Sequence, residues 1–190
     1  KTPERPGSEV VDKALAWLAA TDGPIFLWVH LYDPHAPHPD VPGDPYLAEV
    51  ATADTQIGRL LDAVRARPNW EHTGVVIAAD HGEAFQEHGN EGHARDLHRE
   101  VIYTPWIVSL PFSLDRGVVV DAMTENVDVW PTILDLLGEH ALAKSLKMDG
   151  KSVVSLVNGE RRDNHDELYL TECTWMRKRG WRTHEWKLIQ

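Results

Sequence analysis

Apolar residues recur at helical spacing near the start of the chain. Val11, Ala14, Leu15 and Leu18 share one face, Ser8 is placed as an N-cap, and Asp22-Gly23-Pro24 is a stop. A continuous apolar run follows, Ile25-Phe26-Leu27-Trp28-Val29. Its lack of alternation predicts a strand buried on both faces, as in the centre of a parallel sheet. After a loop carrying Pro34, Pro37, Pro39 and Pro42, the 3.6-residue period returns over residues 46–67. Val50, Ala53, Ile57, Leu60, Leu61 and Val64 are expected to face inward there, until Pro68 breaks the helix.

The second half repeats the alternation of strand and helix. Residues 74–79 (Gly-Val-Val-Ile-Ala-Ala) read as a second buried strand that runs straight into Asp80-His81-Gly82-Glu83. Residues 84–100 are polar, punctuated by glycine and rich in histidine, and residues 106–110 form a third strand after Pro105. Asp128 is placed as the N-cap of a helix with Pro131 in its first turn, Ile133, Leu136 and Leu137 inward, and Gly138 as its stop. Residues 152–157 suit a short helix, and residues 168–170 and 181–189 suit closing strands. Strand, helix, strand, loop, strand, helix is the order of an α/β fold with a mostly parallel sheet flanked by helices. No repeat, low-complexity tract or internal boundary stands out.

Composition narrows what such a fold can do. With 42% hydrophobic and 26% charged residues the chain is globular. Its 19 Lys and Arg against 30 Asp and Glu give a net charge of -11, which argues against a nucleic-acid binder needing a basic face. A small anion remains open as a ligand, since a cation or a few aimed donors reverse the field locally. One cysteine, Cys173, excludes an internal disulfide and any multi-cysteine zinc site; after an apolar strand it reads as a buried thiol. No apolar run has the length of a membrane-spanning helix. The chain opens at Lys1 and stops inside a strand-like run, so both ends are expected to be cut.

The reactive residue types gather where strands end, the edge at which open α/β sheets bind ligands. On a regular strand Asp80 and His81 would point to opposite faces. They serve one site only if the strand stops and turns, which Gly82 permits. An oxygen and a nitrogen donor presented together suit a divalent cation; the alternative is an N-cap aspartate beside a solvent-facing ring. Of the histidines after the second strand, His93, directly behind Gly92, is the candidate for proton donation or contact with an anion, ahead of His88 and His98. His35, braced between Pro34 and Pro37, is the candidate from the first strand end, ahead of His38. His30 reads as a core histidine, and Asp33 as a ligand or an Asx turn before Pro34. No Gly-x-Ser-x-Gly elbow, glycine-rich phosphate loop or His-Glu-x-x-His helix is present. Arg177-Lys178-Arg179, between Trp175 and Trp181, reads as a solvated turn or an anion contact.

Residues 26–37 resemble the sulfatase motif that brings a substrate-contacting histidine into the active site, and Ala79-Asp80-His81-Gly82-Glu83 is similar to that family's second pair of metal ligands. Residues 87–93 and 100–105, then 128–138, 149–152 and 181–189, match in order. The resemblance is to the sulfatase branch of the alkaline phosphatase superfamily. It implies an alkaline-phosphatase-like fold, incomplete at both ends. Residues 1–190 would form part of a sulfatase catalytic domain, with 166–190 the start of its closing strands.

The activity it implies is metal-dependent hydrolysis of sulfate monoesters. Asp80 and His81 would be ligands to a divalent metal, most often Ca2+, and His35 and His93 catalytic and substrate-binding residues. The nucleophile would be a formylglycine upstream of this chain, because the Cys/Ser-x-Pro-x-Arg motif and the early acidic pair are absent. The implied partner is a small anionic ester such as a sulfated sugar or aryl sulfate, with activity favouring mildly acidic to neutral pH. The implied location is periplasmic or secreted, with a cytoplasmic one left open. Histidine at position 93, where many sulfatases carry lysine, keeps a second reading open: a phosphonate monoester hydrolase or phosphodiesterase using Mn2+ or Zn2+. A third is a non-catalytic module on the same fold. These 190 residues alone are expected to show no turnover.

Overall fold

The computed structural model describes residues 4–110 and 117–190. The chain divides into two compact units, Lys1–Thr73 and Gly74–Gln190.

The first unit is a helix pair, α1 (Gly7–Ala19) and α2 (Pro45–Arg65). Val11, Ala14 and Leu18 of α1 are buried as their spacing predicts, as are Ala53 and Val64 of α2; Val50 stays exposed, and Gln56 fills a buried position instead. Ser8 is not the N-cap: Pro6 holds that place without a side-chain bond. The exposed donor is met from a distance, since Gly7 N donates to Asp33 Oδ1 at 2.9 Å. Asp33 therefore caps α1 and does not close an Asx turn, and its other oxygen is a buried acceptor without a hydrogen bond. At the far end the Arg67 guanidinium donates to the carbonyls of Leu18, Thr21 and Gly23 at 3.0, 3.0 and 3.2 Å, serving one acceptor of the last turn and two just past it. On α2, Asp44 caps as such a residue should, accepting from Tyr46 N and Leu47 N, with Pro45 at the first helical position.

Residues 25–29 are not the buried strand expected. No described strand pairs with them, and Phe26 and Trp28 are 66% and 82% exposed. An apolar run is buried on both faces only where ladder partners and covering layers exist, and this one stands without a ladder.

The second unit begins with β1 (Val75–Ala78), followed by a hairpin of two short strands, β2 (Ala84–Phe85) and β3 (Glu91–Gly92), the short helix α3 (Arg99–Ile102) and β4 (Trp106–Ser109). Helices α4 (Val129–Leu136), α5 (His140–Ser145) and α6 (Val154–Val157) come next, and β5 (Glu167–Thr171), β6 (Arg179–Thr183) and β7 (Lys187–Ile189) close it. The α/β class holds, but every ladder among the described residues is antiparallel. β1 and β4 pair from Val75↔Ser109 to Ala78↔Trp106. The connection between them holds the β2–β3 hairpin and one turn of helix, in place of the crossover helix that usually joins a parallel pair. Trp106 is half-buried with its indole N–H unbonded, and Trp130 on α4 and Leu137 at its C-cap are exposed. No described helix is long and apolar enough to cross a membrane.

Asp128 is wholly buried and does more than a cap. Its carboxylate accepts from Lys151 N (2.7 Å), Glu125 N (2.9 Å) and Asn164 Nδ2 (3.0 Å), and His165 Nε2 lies 2.9 Å away. It gives α4 no side-chain cap. One residue thus ties together three separate stretches of chain around the turn at Asn126–Asp128. Gly138 ends α4 as expected, at φ 74°, with its N–H on the Asp135 carbonyl.

The turn between β5 and β6 has a similar organiser. Glu172 gathers the backbone N–H groups of Thr174, Trp175, Met176 and Arg177. That turn leaves Cys173 exposed, correcting the buried thiol expected from the apolar strand before it. Lys178 is no solvated cation either: its ammonium lies 2.9 Å from the buried carboxylate of Asp96.

Candidate functional site

The site at the end of β1 is built on a stopped strand. Gly82 does not adopt the left-handed conformation; its role is close approach. Its N–H donates to the Val101 carbonyl at 2.7 Å, and a Cβ there would stand 2.1 Å from the Glu100 carbonyl oxygen. Any other residue would push the turn off α3, so the chain after Asp80 bends only because position 82 is bare.

The bend brings Asp80 and His81 to one side. Asp80 Oδ1 accepts from His81 N at 3.0 Å, its Oδ2 lies 3.7 Å from His81 Nε2, and its side chain is 76% exposed. His81 Nδ1–H donates to the Gly82 carbonyl at 2.9 Å. That bond selects the tautomer with an accepting Nε2, on the side of the ring that faces the carboxylate. The His93 ring stacks on His81 with centroids 4.0 Å apart and planes 26° from parallel. His93 Nδ1 donates to Glu83, 3.3 and 3.4 Å from its two oxygens, and the Glu83 side chain is only 8% exposed. Two carboxylates and two imidazoles therefore meet within four residues of the strand end and one hairpin.

This donor set fits a divalent cation as part of a shell. One carboxylate oxygen and one imidazole nitrogen face a common space, with the ring oriented from behind by a carbonyl. Among the described residues no group of three or more His, Cys, Asp or Glu completes a shell.

His88 and His98 form a separate stack, centroids 3.8 Å apart, with His88 Nδ1 at 2.7 Å from Glu100 and His98 Nε2 at 3.5 Å from Asp96. In the first unit His35 stacks on Tyr32 at 4.5 Å, and its Nδ1 donates to the Ala36 carbonyl at 2.6 Å, so the ring is held as the flanking prolines suggest. His38 is tied to Glu49 of α2 at 2.5 Å. His30 is exposed and meets Tyr32 edge-on, not a core residue.

Two participants escape a reading of the sequence alone. Glu83 orients His93, and Asn126 donates to the carbonyls of Ala79 and Asp80 at 3.1 and 2.9 Å. Glu83 stands in the run Asp80-His81-Gly82-Glu83 after the strand, but nothing local marks it as the partner of His93. Asn126 carries no local signal, because its partners lie far away in sequence.

The sulfatase family model matches residues 7–139. Over 153 residues the chain is 30% identical to an N-acetylglucosamine-6-O-sulfatase of Bacteroides thetaiotaomicron, covering 76% of this chain and 27% of that protein. Over 113 residues it is 34% identical to a sulfatase of Formosa agariphila, covering 59% of this chain and 21% of the relative. Its fold matches that of Ps i-CgsB in complex with k-i-k-neocarrahexaose with a TM-score of 0.77 at 17% identity, over 97% of this chain and 46% of that one. The chain thus spans about a quarter of the length of these curated relatives. With a family model that runs from α1 through α4 and a shared alkaline-phosphatase-like fold, the chain belongs to the sulfatase family.

Proposed function

We propose that these residues are part of the catalytic domain of a hydrolase of sulfate monoesters. The observation that carries the reading is the convergence of Asp80, His81 and the Glu83-held His93 at the end of β1. Asp80 and His81 would hold a divalent cation, Ca2+ by family likeness. Bound there, the cation would neutralise charge on the ester oxygens and make a nearby hydroxyl more acidic. His93 is aimed by Glu83 and keeps its Nε2 edge turned away from that carboxylate, the edge suited to a non-bridging oxygen or to the leaving group. By family likeness alone His35, its ring stacked on Tyr32 in the first unit, would be a further substrate-contacting residue. The nucleophile would be a formylglycine from residues outside these 190, which hold no Cys/Ser-x-Pro-x-Arg motif. The substrate class is a small anionic ester, and the N-acetylglucosamine-6-O-sulfatase relative favours a sulfated sugar.

A second reading has its own observation. Calcium prefers oxygen ligands, whereas His81 offers nitrogen and His93 stands beside it. That favours Mn2+ or Zn2+ and a phosphodiester or phosphonate ester. One assay on the protein that carries these residues separates the two: release of nitrophenol from 4-nitrophenyl sulfate against bis(4-nitrophenyl) phosphate, with sulfate release from N-acetylglucosamine 6-sulfate as a third arm. Sulfate-ester turnover with His93→Ala lowered at least about 100-fold, within the range of general acid–base catalysis, is expected. Faster phosphodiester turnover overturns the sulfate reading, and His93→Ala activity within a few-fold of the unaltered protein removes His93 from the machinery.

A further inference from the structure

Consecutive carbonyls on a regular strand point in opposite directions, so one side chain cannot serve two in a row. Asn126 does so at the end of β1: its amide nitrogen lies 3.1 Å from the Ala79 oxygen and 2.9 Å from the Asp80 oxygen. The backbone has left strand geometry at that step, and the two bonds hold it there. The orientation of the amide follows from its partners. Two carbonyls need a donor, which sets the nitrogen toward them, while the amide oxygen faces the Thr104 hydroxyl at 3.5 Å.

Asn126 itself stands on a fixed base. It opens the turn Asn126–Asp128, whose last residue is the buried carboxylate bound to Glu125 N, Lys151 N, Asn164 and His165. The preceding residue, Glu125, joins the same network, with its carboxylate 3.8 Å from His165 Nε2. A mid-chain polar core thus projects one amide onto the strand end. What that amide controls is the peptide between Asp80 and His81, the step that decides whether their side chains diverge, as on a strand, or converge.

We propose that Asn126 is a positioning residue for the Asp80–His81 pair: by clamping the Ala79 and Asp80 carbonyls it keeps the strand end turned, so that carboxylate and imidazole face one cation. The inference rests on the ligand reading above. It assigns the network around Asp128 a function besides stability, as the rigid mount of that clamp.

The test is a titration of the 15N-labelled full chain with Mn2+, read as paramagnetic broadening of the Asp80, His81 and Gly82 amide signals. Variants Asn126→Ala and Asn126→Asp are compared; the second keeps the shape but replaces the donor with an acceptor facing two carbonyls. Thermal midpoints from Trp fluorescence without cation provide the control. The expected result is selective broadening in the unaltered chain and midpoints raised roughly 10- to 100-fold in both variants, the usual range for partners of a ligand, with thermal midpoints retained. Equal Mn2+ midpoints in all three proteins overturn the proposal. Loss of the thermal transition in both variants overturns it too, because Asn126 would then be a structural residue. Absence of broadening at Asp80 and His81 in the unaltered chain refutes the ligand reading itself, an outcome distinct from equal midpoints, and takes the inference with it.

Discussion

Asp80 and Asp128 belong to the same unit, and one asparagine links their surroundings, yet the two carboxylates live in opposite conditions. Asp128 has no exposed surface and is surrounded by two backbone N–H groups, an amide and an imidazole. Asp80 is mostly in solvent, and its bonded neighbour is the backbone of the next residue. A carboxylate whose lone pairs are all engaged by the fold holds chain segments together and has nothing left to offer a ligand. One whose lone pairs are largely turned to solvent contributes little to stability and is available for coordination. Burial and saturation, not residue type, separate the structural acid from the candidate functional one.

The comparison breaks most visibly at Asp128. Asp128→Ala leaves a buried imidazole, an amide and two N–H groups facing a cavity, and is expected to destabilise the second unit by about 3–5 kcal/mol. Urea unfolding followed by Trp fluorescence measures it, and a loss below about 1 kcal/mol, the worth of one ordinary hydrogen bond, would mean the network does not hold the unit together.

Acid should act next most strongly, through other carboxylates that the fold engages. Burial alone would raise the Asp96 carboxyl, but the Lys178 ammonium, the Leu97 N–H and the His98 ring outweigh it and hold it below its usual range. Glu172 is likewise held low, burial being outweighed by the four N–H groups of its turn. For both groups the unfolded chain binds the proton more readily. Their stabilisation is therefore complete above an unfolded value of about 4 and disappears as pH falls through the lowered folded values. Glu125 has the opposite sign. Burial, with the Asp128 charge adding to it, raises its carboxyl against the pull of His165 and Lys151. Its contribution is present at low pH and is lost as pH rises through the raised value. Glu100 is held low as well, burial being outweighed by its own backbone N–H and the His88 and His98 rings, so three lowered groups against one raised one predict a net fall in the urea midpoint from about pH 4 downward. Lys178→Met should flatten that fall, and a midpoint that rises with acid would contradict the assignment.

The smallest expected effect sharpens the contrast. Asp80→Ala should change stability by no more than about 0.5 kcal/mol, as for an exposed residue, while abolishing Mn2+ broadening at His81. A large stability loss would place Asp80 with Asp128 among the structural acids.

The faces of α1, the stop at Gly138 and the clustering of chemistry at the end of β1 were legible in the sequence, because each is a local pattern with a local cause. The capping of α1 was not: spacing pointed to Ser8, whereas the acceptor is Asp33, brought from the next loop by the tertiary fold. Gly82 was found for the wrong reason, since sequence marks a glycine but not the carbonyl pressed against it. The run 25–29 has the composition of a central strand, yet composition does not supply partners. The tract around Asn164-His165 carries no local signal of burial, and only the carboxylate of Asp128, met from another segment, makes it interior.

The turn after β5 has a practical consequence. Its backbone is pinned by Glu172, and beside that residue sits the sole sulfhydryl of the molecule, pointing outward. A spin or fluorescent label attached at Cys173 would ride on a stiff mount. Its signal would report the tumbling of the whole second unit with little local wobble, and no other cysteine would need removal first.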